Sequence, residues 1–304
     1  MAQVSIVRPG LFTTVQDLGR WGYQSLGVPV SGALDWFSHR LANLLVGNAP
    51  VEAGLEVTLT GPQVRFECAT RFAVTGAEFE LTLDGQIVPM NRAIDTEAGS
   101  LLRFGERIRG ARAYLAISGG VDVIPILGSR STHVLTAMGG HEGRALRAGD
   151  TLAVGKTVPG SVFEMTPGAF SKVGPLFPWR KLRVVAGDPE LTKHLTAARF
   201  RISPQSNRMG YRLEGALLPA KPTGALISTA VPTGAIQVPP TGEPILLMND
   251  HATTGGYRIA GVVITADLAV AGQLAPGDWV EFETCSFEEA DEALRQREAL
   301  LGAP

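Results

Sequence analysis

Glycine and proline interrupt this chain so often that few stretches are long enough for an extended helix, and the runs between them are rich in Val, Ile, Leu, Phe and Thr. The 36 Gly and 20 Pro among 304 residues follow no fixed period, which excludes collagen-like and coiled-coil architectures. Short apolar runs at Val64 to Phe66, Arg71 to Thr75, Phe79 to Leu83, Leu101 to Phe104 and Arg112 to Ser118 predict a β-dominated chain. Between Phe79 and Val88, apolar and polar residues alternate around Asp84-Gly85. That pair tolerates positive φ, so the segment predicts a hairpin with a type I′ turn.

Helices are few. Phe37, Leu41, Leu44 and Leu45 share one face of a predicted helix over Asp35 to Val46, with Gly47 as its stop. After the apolar run Leu182 to Ala186, Asp188 is placed to cap a helix with Pro189 in its first turn and Leu191, Leu195 and Ala198 on one face. A charged terminal helix is expected over Phe287 to Leu301. Gly105-Glu106, Gly149-Asp150 and Gly277-Asp278 each follow a Leu by three residues, and all three read as turns between barrel strands. The copies near Asp150 and Asp278 would close two similar β-rich halves. We place domains over 1–170 and 171–304, joined by a linker from Thr157 to Arg180.

With 45% apolar and 18% charged residues, the chain supports a large core and is not disordered. A net charge of -2 gives no general attraction to phosphate or anionic lipid, so neither nucleic acid nor a membrane is expected as a partner. Met1 to Gly10 lacks the pattern of a secretory leader, and Asp267 breaks the apolar stretch Ile259 to Ala275, so no membrane span is expected. Cys68 and Cys285 lie too far apart in sequence for a CxxC pair, which suits a reducing cytosol. The five His show no zinc-ligand spacing, and no metal is expected.

Four segments combine Gly with small polar or charged residues, a composition that packs poorly as core but supplies backbone donors and side-chain ligands. The first, Pro9 to Arg20 and on through Gly27 to Asp35, Asn43 and Gly47-Asn48, carries Gln16, Asp17 and Arg20, while Asp35 reads as a helix cap. The second, Gly128-Ser129-Arg130-Ser131-Thr132, has the composition of a phosphate or carboxylate cradle but not the P-loop pattern. The third sets Arg208 and Arg212 four positions apart around a turn at Gly210. The fourth runs from Gln237 through an apolar strand, Ile245 to Met248, into Asn249-Asp250-His251 and Thr253-Thr254-Gly255-Gly256-Tyr257. There Asp250 is a candidate base or orienting group, His251 a proton carrier and Tyr257 a donor. A lone His is more often a satisfied structural residue, so both readings of His251 stand. No GxSxG elbow occurs, and a hydrolase triad is not supported.

Pro9-Gly10, Thr13 to Asp17, Gly19-Arg20, Gly27-Val28-Pro29, Ser31-Gly32-Ala33, Asp35, Ala42-Asn43, Val46-Gly47-Asn48 and Gly61-Pro62 form an ordered series of motifs. It continues through Gly128 to Thr132, Arg208-Met209-Gly210, Gln237-Val238, and Asp250 with Thr253 to Tyr257. In this series, which covers nearly the whole chain, the sequence resembles the allophanate hydrolase subunit 2 family. Its members are also described as biotin-dependent carboxyltransferases or as the C subunit of 5-oxoprolinase.

The resemblance implies a mainly β protein with a few helices, built as two cyclophilin-like β-barrel domains that meet at a cleft. It implies a cytoplasmic hetero-oligomer with sister 5-oxoprolinase subunits A and B, acting on a small-molecule substrate. The reaction implied is ATP-dependent opening of 5-oxo-L-proline to L-glutamate, with ATP shared with the partner subunit. Amide resonance resists that opening, and phosphorylating the carbonyl oxygen would explain the need for ATP. On the reading of the residues themselves, the catalytic candidates are Asp17, Asp250, His251 and Tyr257. The substrate-binding residues are Gln16, Arg20, Ser129, Arg130, Ser131, Arg208, Gln237, Thr253 and Thr254. Two alternatives accompany this: carboxyl transfer from carboxybiotin supplied in trans, as in urea carboxylase, and a non-catalytic protein that binds its sister subunit. None of the five Lys sits in a Met-Lys-Met sequence, so no covalently attached biotin is expected. The family's usual loop has Gln before the Thr pair and Pro after the Tyr; here Ala252 and Arg258 stand there.

Overall fold

The computed structural model describes residues 2–156, 181–219 and 227–302. The expected linker over 157–180, with the expected boundary at 170/171, lies outside the described residues. Two compact units divide the chain: Met1–Arg20 with Ser31–Pro167, and Trp21–Val30 with Gly168–Pro304.

The first unit holds β1 (Ala2–Arg8), β2 (Phe12–Gln16), β3 (Gly54–Thr58), β4 (Gln63–Phe66) and β5 (Thr70–Leu83). It continues with β6 (Gln86–Val88), β7 (Ile94–Thr96), β8 (Leu101–Ile117) and β9 (Thr151–Val154). They form one half-barrel sheet in the order β2-β3-β8-β4-β1-β9, with β5 paired to β6, β7 and β8. Val4, Ile6, Leu55, Val57, Phe66, Phe72, Val74 and Leu115 are buried in its core. Phe66 and Phe72 stack with ring centroids 5.0 Å apart. Such a pair adds about 1 kcal/mol beyond the area it buries.

The predicted hairpin is present: Leu83 pairs with Gln86, and Asp84 and Gly85 adopt φ of 51° and 84°, the left-handed pair a type I′ turn requires. Other glycine punctuation has a different meaning. Arg71 to Thr75 and Phe79 to Leu83 are parts of one strand, β5, and Leu101 to Phe104 and Arg112 to Ser118 fall on one strand, β8, that ends at Ile117. The β5/β8 register shifts repeatedly between Gly76 and Leu81. Gly76 and Gly110 take φ of 85° and 75°. Bulges bend a long strand without ending its ladder, so these glycines curve the sheet. For the same reason Gly105-Glu106 is not a turn; it lies inside β8.

Helix α1 (Trp36–Leu45) begins where expected, with the Asp35 carboxylate accepting from Ser38 N at 2.9 Å. It buries Phe37, Leu41 and Leu45, and Gly47 follows at φ 81°. Replacing that cap by Ala is expected to cost about 1 kcal/mol.

The second unit contains β10 (Lys181–Ala186), β11 (Arg199–Ile202), β12 (Gly210–Gly215), β13 (Thr229–Ala230) and β14 (Ala235–Val238). It continues with β15 (Ile245–Leu247), β16 (Thr254–Gly255), β17 (Arg258–Val263) and β18 (Trp279–Thr284). Seven of them close a barrel, β10-β17-β14-β15-β12-β11-β18, while β13 and β16 form a separate two-stranded ribbon. Leu182, Val184, Phe200, Ile202, Tyr211, Ile236, Leu246, Val280 and Phe282 are all buried. The chain is thus mainly β, as expected.

Among the described residues its helices are α2 (Pro189–Thr196), capped by Asp188, α3 (Thr265–Ala271), and α4 (Phe287–Ala299), which Ser286 and Glu289 cap reciprocally. The apolar stretch Ile259 to Ala275 divides between β17 and α3. Asp267, which interrupts it, receives Arg183 through Nε at 3.0 Å and Nη2 at 2.7 Å. Gly210 opens β12 instead of forming a turn, and its partner strand packs tightly over it: a Cβ there would meet Leu246 O at 3.1 Å.

The remaining two Gly-Asp turns are built alike. In the first unit, Gly149 N donates to Ile6 O and Ile6 N to Asp150 O, both at 2.8 Å. In the second, Gly277 N donates to Ile202 O and Ile202 N to Asp278 O, again at 2.8 Å. Each turn leads directly into the last strand of its unit, β9 or β18.

Candidate functional site

Asp17 stands one residue beyond β2 and is the hub of the first unit's polar cluster. Its Oδ1 accepts from the hydroxyls of Ser129 at 2.7 Å and Ser131 at 2.5 Å and from Gly19 N at 2.8 Å, and its Oδ2 from Arg130 N at 2.5 Å. Asp17 N in turn donates to Ser131 Oγ at 2.9 Å. The carboxylate is 7% exposed, and protein groups fill its acceptor positions, an arrangement that suits anchoring the 129–131 loop better than exchanging protons.

The other candidates in this unit converge on the same loop. Gln16 Nε2 donates to Thr14 Oγ1 at 3.0 Å and Thr132 O at 3.1 Å, while no donor among the described residues reaches its Oε1. Arg20, 1% exposed, donates through Nη2 to Ser131 O. Arg130 donates through Nε to Val123 O at 3.0 Å, and its guanidinium lies 4.0 Å from Glu52 and 3.8 Å from Asp122. An anion bound there would compete with two carboxylates.

Behind this knot lies a buried layer that sequence reasoning missed. Glu56 on β3 accepts from Leu34 N at 2.9 Å and from the Tyr114 hydroxyl at 2.8 Å, and that hydroxyl accepts from Asp35 N at 2.8 Å. Burial, with the Glu56 and Asp35 carboxylates nearby, pushes the Tyr114 phenol well up. His39 Nε2 donates to Gln16 O at 3.1 Å, and burial pushes its imidazole down against that contact. The available signal was a charged residue, Glu56, between the apolar Leu55 and Val57.

In the second unit, β15 leads into Asp250, which forms a two-point ion pair with Arg208. His251 Nδ1 donates to Ala252 O at 2.6 Å, so in the neutral ring its Nε2 accepts from the Thr233 hydroxyl at 3.1 Å. Burial lowers the His251 pKa, and this arrangement engages both ring nitrogens. Gln237, on β14, is buried, and its Nε2 meets no acceptor among the described residues. Gly255 packs over that nitrogen so closely that a Cβ would lie 2.3 Å from it. Thr253 is half-buried, Thr254 exposed, and Tyr257 47% exposed. These last residues ride on the β13/β16 ribbon, where Val231 N donates to Thr253 O at 3.0 Å.

Residues 26–284 match the model of the carboxyltransferase domain, subdomain A and B. The chain belongs to this carboxyltransferase family. It is 39% identical to the C subunit of 5-oxoprolinase from Escherichia coli, over 97% of this chain and 95% of that protein. The same-named protein of Haemophilus influenzae is 33% identical, over 95% and 93%. The crystal structure of the Kluyveromyces lactis urea carboxylase superposes with a TM-score of 0.90 at 32% identity, over 98% of this chain and 29% of that one.

Within this carboxyltransferase fold, the departure at Arg258 has a visible partner. Its guanidinium pairs with Asp188, the cap of α2, with Nη2 at 2.5 Å and Nε at 3.1 Å from Oδ2. Among the described residues, no helix is long and apolar enough to cross a membrane, and no group of His, Cys, Asp or Glu is placed to hold a metal.

Proposed function

We propose that this chain is the C subunit of an ATP-dependent 5-oxoprolinase, converting 5-oxo-L-proline to L-glutamate together with sister subunits A and B. The observation that carries the reading is the match to the Escherichia coli protein across 97% of this chain and 95% of that one. Site chemistry adds support. Gln16 has a buried carboxamide oxygen with no donor, and Gln237 a buried carboxamide nitrogen with no acceptor, among the described residues. Each is a group that a polar ligand could satisfy within its own unit, an N–H donor at the first and a carbonyl acceptor at the second.

In this reading Gln237, Thr253, Thr254 and Tyr257, all in the second unit, meet substrate. Ser129, Ser131 and Arg20 hold the Asp17 loop, Arg208 holds Asp250, and His251 fixes the backbone before Thr253. Arg130 already faces Glu52 and Asp122, so a phosphate there would compete with two carboxylates. In this reading ATP is shared with the partner subunit.

Co-expression with both sister subunits, followed by assay of 5-oxoproline-dependent ATP hydrolysis, tests the proposal. A stable complex without turnover, with all subunits present, supports the regulatory reading instead. The urea carboxylase likeness favours a second reading, carboxyl transfer from carboxybiotin carried by another protein. Labelled carboxylate moving from such a carrier to an amide would select it.

A further inference from the structure

The loop from His251 to Tyr257 contains Gly255-Gly256, two residues with no side chain of their own to anchor it. The two-residue pairing of β16 with β13 is too short to be stable alone. Both ends of the loop are tied elsewhere. Upstream, Asp250 N donates to Arg208 O at 3.0 Å, beneath the ion pair of their side chains. Downstream, the side chain of Arg258 reaches three places: Asp188 Oδ2, Glu190 Oε2 at 3.5 Å, and Pro219 O at 3.3 Å. Asp188 divides its oxygens between two tasks. Oδ1 accepts from Glu190 N and Leu191 N to cap α2, and Oδ2 receives Arg258.

We propose that Arg258 is a positioning residue for the 251–257 loop, and that its contact with Asp188 sets where Tyr257 and Thr254 are presented to ligand. Presentation to ligand rests on the function proposed above, whereas the tethering of the loop stands on the structure alone. Along β17 the ladder reaches its start, with the Asp188 N–H on Ile259 O at 2.8 Å and Val238 opposite Arg258. Tyr257 is therefore the first residue beyond the ladder, and the Arg258 side chain connects the loop exit to the first turn of α2.

Three variants of the full chain separate this role from capping: Arg258→Gln, Arg258→Lys and Asp188→Asn. Asn is as good a helix cap as Asp, so Asp188→Asn removes the ion pair, keeps the helix start, and serves as the test should Arg258→Gln fail to fold. Hydrogen exchange over 251–257 is expected to quicken about tenfold in Arg258→Gln and Asp188→Asn, with Arg258→Lys in between. In the assembly with sister subunits, KM for 5-oxoproline should rise about threefold to tenfold while kcat holds. The double variant Arg258→Gln/Asp188→Asn should be no worse than either single one. Unchanged exchange over 251–257 in both single variants, or effects that add in the double variant, overturns the proposal. Absence of turnover in the wild-type assembly rejects the function reading, and the exchange measurement then decides the tethering by Arg258 on its own.

Discussion

Arg208 and Asp250 face each other through two hydrogen bonds, Nε to Oδ2 at 2.8 Å and Nη2 to Oδ1 at 3.1 Å, with only 8% and 7% of their side chains exposed. Removing one member of a buried pair strands the other charge, which costs about 3–5 kcal/mol. Asp250→Ala is therefore expected to lose that much stability in urea unfolding. Arg208→Met combined with Asp250→Leu should lose clearly less, because no charge remains buried. Equal losses in the two variants would contradict this.

Asp17 makes the matching prediction for the first unit. Asp17→Ala leaves two Ser hydroxyls and two backbone N–H groups without their acceptor, and the loss is expected to exceed about 3 kcal/mol. Ser129→Ala removes one donor and should cost about 1 kcal/mol. Chemical denaturation of both variants checks the ratio, which an isolated surface carboxylate would not produce.

The turn before β9 predicts an acid-sensitive contribution. Arg144 contacts Asp150 at 2.7 and 2.9 Å and, against burial and with help from Arg147 N, holds its carboxyl at about 2. An unfolded Asp titrates near ~3.9. The folded value is the lower one, so this stabilisation is fully present above about pH 4 and lost as pH falls through about 2. Asp150→Asn should melt below the wild type at pH 7, and the gap should close as pH falls through that window. A gap independent of pH would assign the stabilisation to something other than the carboxylate.

A side chain at Gly255 is expected to displace the Gln237 carboxamide. A methyl there would stand 2.3 Å from Gln237 Nε2 and 3.0 Å from Val231 Cγ2, so Gly255→Ala should cost about 1–3 kcal/mol by overpacking. Shortening the neighbour with Gln237→Ser in the same chain should recover part of that loss. Thermal unfolding of the single and double variants measures it.

Local chemistry made much of this fold readable in the sequence. Asp84-Gly85, Asp35 with Gly47, and Asp188-Pro189 each encode their own turn or cap within a few residues, and the structure has all three. Gly76, Gly105 and Gly110 were misleading because a glycine that bends a strand has the same sequence signature as one that ends it; only the β5/β8 ladder tells them apart. The candidate site divides the same way. Residue types in the Gly-rich loops picked out Asp17 with Ser129 and Ser131, and Arg208 with Asp250. That each pair is closed on itself depends on contacts between distant segments. Glu56, Tyr114 and the Arg258–Asp188 contact were illegible for that reason, since nothing near Arg258 in sequence names its partner.

The most direct measurement is the glutamate released from 5-oxo-L-proline and ATP by the two sister subunits, with and without this chain, counting phosphate in the same samples. The proposed role predicts that glutamate and phosphate appear together and only when the chain is present. Release that does not depend on this chain, or a stable three-subunit complex that forms no glutamate, would contradict it.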